Sequence, residues 1–222
     1  GSPNPYDYYS VAGTPGFIVA YQAKNIGITG KGVIDGQGRE VANNFLGQIA
    51  LGFIDDQLSL GRPGGVRPNL IYLRECEGVT LKNVNIRNSA AWTVYIDQCQ
   101  NTMVDGVTVT SRAFWNNDGV DIVDCRDFTL QNSFIDSADD GICLKSHSAS
   151  ARCDNVLIQN NVVTSSASGI KFGTVGRGGF SNITLLNNTV YDTFRSALAI
   201  EAVDGGCAEN ILVDGLKALN TA

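Results

Sequence analysis

Cys125-Arg126-Asp127-Phe128-Thr129-Leu130-Gln131-Asn132 is the stretch that decides the fold. A small residue leads, an Asp stands two places on, an alternating run places Phe128 and Leu130 on one face, and Asn132 follows seven places after the head. The same frame recurs from Ala23, Cys76, Cys99, Cys153, Phe180 and Ala208. From Cys76 onward the heads are 23, 26, 28, 27 and 28 residues apart, and repeats of roughly 20–50 residues mark solenoids, propellers or arrays.

The seventh place after each head is Gly30, Asn83, Gly106, Asn132, Asn160, Asn187 or Gly215. Gly and Asn tolerate left-handed backbone angles best, so this column predicts one tight bend in every repeat. A second short run follows each bend, as in Val107-Thr108-Val109. A third comprises Val94-Tyr95-Ile96, Val120-Asp121-Ile122, Ile142-Cys143-Leu144, Ile170-Lys171-Phe172 and Leu198-Ala199-Ile200. Three strands per repeat without helical periodicity predict an all-β, right-handed parallel β-helix. The Cys76, Cys99, Cys125 and Cys153 column reads as an internal ladder of small apolar side chains holding free thiols.

The 222 residues are 43% hydrophobic and 17% charged, which suits a single β-helix domain over 1–222. The chain is expected to be cut at both ends, since it starts within a coil and stops just after a strand. A net charge of −6 with no basic stripe argues against nucleic acid as a partner. No apolar run is long enough for a membrane span. The six cysteines form no CxxC pair or zinc spacing. His147, in a Ser-rich turn, reads as a solvated surface residue.

Alternation sends Val120 and Ile122 inward and Asp121 outward. Stacking the coils sets out three outward columns. The first holds Trp92, Asp118, Asp140, Ser168 and Ser196; the second Tyr95, Asp121, Cys143, Lys171 and Ala199; the third Asp97, Val123, Lys145, Gly173 and Glu201. Aromatics, carboxylates and lysines gathered on one face fit a linear sugar chain. Asp118, Asp121, Asp139 and Asp140 crowd two adjacent rungs, and crowding raises at least one carboxyl pKa, as acid catalysis needs. Asp and Asn also populate turns throughout the chain, but four acids on two rungs work against stability and point to function.

Asn117-Asp118-Gly119-Val120-Asp121 resembles the Asn-Thr-Asp-Gly-x-Asp motif of glycoside hydrolase family 28, the polygalacturonases and rhamnogalacturonases. Asp139-Asp140-Gly141-Ile142-Cys143-Leu144-Lys145-Ser146 is similar to the family's Asp-Asp-Cys-x-Ala-Ile-Lys-Ser. Asn88-Ser89-Ala90-Ala91-Trp92 and Ile34-Asp35-Gly36-Gln37-Gly38 resemble two further family segments. The resemblance implies inverting hydrolysis without a cofactor: Asp139 as the general acid, Asp118 and Asp140 activating water, and Asp121 positioning. Trp92, Tyr95, Lys145, Lys171, Ser168 and Glu201 complete the expected substrate-binding set. It implies a monomer acting on a pectin-type polysaccharide in an extracellular or periplasmic location. Three positions depart from the family: Ser168 replaces its histidine, and Ala199 and Glu201 replace its Arg-x-Lys, which is expected to pair with a uronic carboxylate. These changes look like a divergent, mainly bacterial branch whose sugar at the cleavage site is not plain polygalacturonate, with Lys145 and Lys171 available to compensate. A non-catalytic glycan-binding β-helix, and a lyase or epimerase on the same scaffold, are the competing readings.

Overall fold

The computed structural model describes residues 16–53, 55 and 67–222. Its strands form three seven-stranded sheets in which each strand pairs in parallel with its counterpart one coil away. One sheet runs through Gly16–Tyr21, Asn69–Arg74, Val94–Asp97, Val120–Val123, Ile142–Ser146, Ile170–Gly176 and Leu198–Ile200. The second carries the Cys-headed strands, among them Arg126–Gln131 and Cys153–Gln159, and the third carries short strands such as Thr108–Ser111 and Phe134–Ser137.

Each bend falls where the Gly/Asn column placed it. Asn83, Asn132, Asn160 and Asn187 have φ of 59, 53, 54 and 52°, with Gly30, Gly106 and Gly215 also positive. Register follows the columns too: Val120 pairs with Val94 and Ile142, and Ile142 with Ile170. These inward side chains are at most 1% exposed, and each contributes about 1.5–3 kcal/mol by leaving water. The cysteine ladder is buried, unbridged and hydrogen-bonded between rungs: Cys125 Sγ donates to the Ile96 carbonyl at 3.3 Å, and Cys153 Sγ to that of Ile122 at 3.3 Å. Burial pushes the Cys99 and Cys153 thiols up to about 12.

Three expectations are corrected. A helix, Gly38–Ala50, stands between the strands Val33–Asp35 and Asn69–Arg74. Only Gly38 and Ala42 are buried on it, while Val41, Phe45, Leu46 and Ile49, at helical spacing, are half-buried, a stripe the reading of the repeat passed over. A Cβ at Gly38 would fall 2.0 Å from the Ser89 carbonyl oxygen, so glycine lets the helix start press on the coil. The third outward column breaks after Lys145. Leu144 pairs with Phe172 but Ser146 with Gly176, so the strand Ile170–Gly176 carries two extra residues there. His147 is 5% exposed rather than solvated, its ring centroid 6.5 Å from that of Trp92.

Candidate active site

The acidic clusters enter the first sheet at equivalent places on adjacent rungs. Gly119 N donates to the Asp140 carbonyl and Gly141 N to the Ser168 carbonyl, each at 2.9 Å. A Cβ on Gly119 would lie 2.4 Å from the Gly141 carbonyl oxygen, so this close stacking excludes any side chain there. Asn117 is fully buried and fixes the turn before Asp118: its amide donates to the Ser89 and Ala91 carbonyls at 2.9 and 2.8 Å.

A cleft of about 190 Å³ opens between Trp92, Asp118, Asp139, Asp140, Lys145, Lys171 and Arg195, with Asn116 and Gly173, Thr174 and Val175 also on its walls. A larger groove of about 550 Å³ passes Gln98, Asp124 and Arg152. Its buried acid, Asp124, is occupied as a turn anchor, accepting from Ser146 Oγ at 2.8 Å and from Ser148 N at 2.9 Å. The clustered carboxylates and lysines instead line the smaller cleft.

Within it the carboxylates have different partners. Lys145 Nζ donates to Asp118 Oδ2 at 3.1 Å and also to Asp121 Oδ1, while lying 4.1 Å from the Trp92 ring centroid. Burial opposes the charge on Lys145, but Asp121, Cys143 and Asp118 outweigh it and hold its pKa well above the ordinary lysine range. Burial drives Asp121 up to about 6 against the pull of Lys145. Burial, and then the charge of Asp121, lifts Asp118 well above the usual range. One ammonium faces two buried carboxyls, so the two titrate as a pair. Lys171 Nζ pairs with Asp140 Oδ2 at 3.2 Å and Glu201 Oε2 at 3.6 Å.

Asp139 has no lysine within ion-pair distance among the described residues. Its Oδ1 accepts from Asp140 N at 3.0 Å, and Asn116 Nδ2 faces its Oδ2 at 3.5 Å. Burial first, and then the charge of Asp140, raises its pKa. Asn116 is held by Arg67, whose Nη2 donates to Asn116 Oδ1 at 3.1 Å and whose Nη1 donates to the Trp115 carbonyl at 2.7 Å.

The expected site residues divide. Trp92, Asp118, Asp139, Asp140, Lys145 and Lys171 line the cleft. Tyr95 does not: it is 0% exposed, stacked on Tyr72 at 4.7 Å and edge-on to Trp92 at 5.0 Å, so no sugar reaches its ring. Asp121 is also 0% exposed and pairs with Lys145. Ser168 is buried, its backbone N–H donating to Asp140 Oδ1 at 3.1 Å, and Glu201 stands off the cleft walls, behind Lys171 and Thr174. Both lysines are engaged by carboxylates, so neither is free to compensate for the missing basic residues. Oxygens of Asp118 and Asp121 and the Cys143 sulfur lie within 4.8 Å of one another, a spacing a metal ion could use, but Lys145 supplies the counter-charge there. Sequence reading missed Arg67, Asn116 and Arg195. Two of them carried a signal: Arg195 stands two 28-residue steps after Asp139, and Asn116 stands two places before Asp118, as the Asn does in the quoted motif.

The sequence pattern of the glycosyl hydrolases family 28 matches residues 4–211, and the chain belongs to that family. It is 25% identical over 228 residues to a polygalacturonase of Cryptomeria japonica, covering 93% of this chain and 42% of that protein. It is 27% identical over 184 residues to an endo-polygalacturonase of Pectobacterium carotovorum subsp. carotovorum, covering 81% of this chain and 43% of that one. The chain thus spans less than half the length of these curated relatives. The solved polygalacturonase from Erwinia carotovora ssp. carotovora superposes with a TM-score of 0.79 at 22% identity, over 94% of this chain and 55% of that one. That likeness carries the fold, a right-handed parallel β-helix. No described helix is long and apolar enough to cross a membrane.

Proposed function

We propose that this chain carries the catalytic centre of an inverting hydrolase acting on a pectin-type polysaccharide outside the cytoplasm. One observation supports the reading: in a single cleft, Asp118 and Asp140 are each paired with a lysine, while Asp139 has no such partner among the described residues. Asp139 then gives its proton to the leaving glycosidic oxygen. Asp140, with Asp118 beside it, takes a proton from a water that attacks the anomeric carbon from the opposite face. The C–O bond breaks as the new one forms, so the configuration inverts. Asp121 and Lys145 form a buried counter-charge behind Asp118, and Trp92 offers an apolar wall.

A lyase or epimerase would need a basic group free to take a carbon-bound proton. Both cleft lysines are salt-bridged and have raised pKa values, which suits them poorly to that role. Asp139→Asn should lower reducing-end release from pectic oligosaccharides by about 10²–10⁴-fold, with the wild-type product formed in the inverted anomeric configuration by NMR. Unchanged turnover in that variant, or retention of configuration, would sink the assignment. Oligosaccharide retention by the wild type with no turnover at any pH would establish the binding-module reading instead.

A further inference from the structure

The cleft contains a cation that the proposed chemistry does not use. Arg195 is solvent-exposed and lines the cleft, and among the described residues no carboxylate lies within 4.0 Å of its guanidinium. Its position follows from the stacking. Asp139, Ala167 and Arg195 occupy the same place on three successive coils, 28 residues apart, and Arg195 N donates to the Ala167 carbonyl at 3.0 Å. Two rungs separate Arg195 from Asp139, about 10 Å along the helix axis. The intervening side chain is only the methyl of buried Ala167, which leaves the long arginine room over the cleft.

The main chain at Arg195 is anchored as it is at the acid. Ser137 Oγ donates to the Asp139 carbonyl at 2.7 Å, and Thr193 Oγ1 to the Arg195 carbonyl at 2.9 Å. Arg195 is therefore a long side chain on a hydroxyl-pinned turn, sharing the cleft wall with Asp139. Around it, Lys145 is neutralised by Asp118 and Asp121, and Lys171 by Asp140 and Glu201. An anionic sugar entering this acidic groove needs an uncommitted positive charge, and a guanidinium meets a carboxylate bidentately.

We propose that Arg195 receives the carboxylate of a uronosyl residue in the cleft and so selects acidic glycans. The role stands on a different coil position from Ala199 and Glu201, and it rests on the hydrolase reading only for its kinetic test. Arg195→Gln should lower kcat/KM on an oligogalacturonate by about 10- to 100-fold, and by less than about 3-fold on the fully methyl-esterified oligosaccharide. Arg195→Lys should recover part of the loss. Binding is read independently by calorimetry with oligogalacturonate on Asp139→Asn, with and without Arg195→Gln. Loss of affinity in the double variant supports the assignment even where no hydrolysis is found, in which case only the hydrolase reading falls. Equal losses on the charged and esterified substrates, undiminished affinity in the double variant, or binding of neutral oligosaccharides only would overturn it. A circular-dichroism melt unchanged by the Arg195 substitutions excludes misfolding as the cause.

Discussion

Lys145→Met removes an ammonium lodged between Asp118 and Asp121 and leaves both carboxyls buried without it. Lys145, Asp118 and Asp121 have side-chain exposures of 8, 6 and 0%, so water does not replace the lost partner. Breaking a buried ion pair from one side costs about 3–5 kcal/mol. For a domain of this length each kcal/mol shifts the melting temperature by about 2–4 °C, which makes the expected fall about 6–20 °C at pH 8. The sign with pH can be worked out. In the wild type the Lys145 pKa is raised, so its contribution is intact below the ordinary lysine range and disappears only above it. Lys145 therefore keeps its own charge between pH 5 and 8. In the variant the two carboxyls, already raised by burial, rise further and are protonated at pH 5 at little cost, whereas at pH 8 they must ionise without a counter-charge. The deficit should therefore be small at pH 5 and full at pH 8, read by thermal melts of both proteins at each pH. A melting temperature within about 2–4 °C of wild type at pH 8, or a deficit independent of pH, would refute the reasoning.

Two further outcomes follow from buried groups outside the cleft. Burial raises Asp97 to about 7 despite Arg74 at 3.5 Å, while an unfolded aspartate titrates near ~3.9. The native state then holds a proton that the unfolded state releases, so this residue's contribution to stability is greatest below about pH 4 and is lost as pH rises to about 7, roughly 4 kcal/mol in all. Asp97→Asn should flatten that part of the urea-unfolding profile between pH 4 and 8, and an unchanged slope would contradict it. Of the six cysteines only Cys207 is exposed, so a thiol reagent should label one site in the native protein and six after denaturation.

The coil architecture was legible because each rung meets only its neighbours. A bend residue at Asn132 or Asn160 and an inward Ile142 or Ile170 are local requirements, repeated until the register is set. The same columns placed Asp118 beside Asp140, and they would have placed Arg195 above Asp139 had the count been carried two rungs further. The helix Gly38–Ala50 escaped because its apolar stripe of Val41, Phe45 and Ile49 lies in an insertion outside the repeated frame. The break after Lys145 escaped because two residues inserted into one strand leave no mark in an alternating run.

Period and residue type alone determined the β-helix, the order of its rungs and the gathering of the aspartates, since parallel pairing converts sequence spacing directly into height along the axis. Tertiary structure decided which outward positions reach water and which charges are already spent. Tyr95 and Asp121 point away from the core yet are sealed by Tyr72, Trp92 and Lys145, and both lysines are engaged by carboxylates. Desolvation and charge pairing depend on side chains brought together from several coils, and no spacing within one repeat records them.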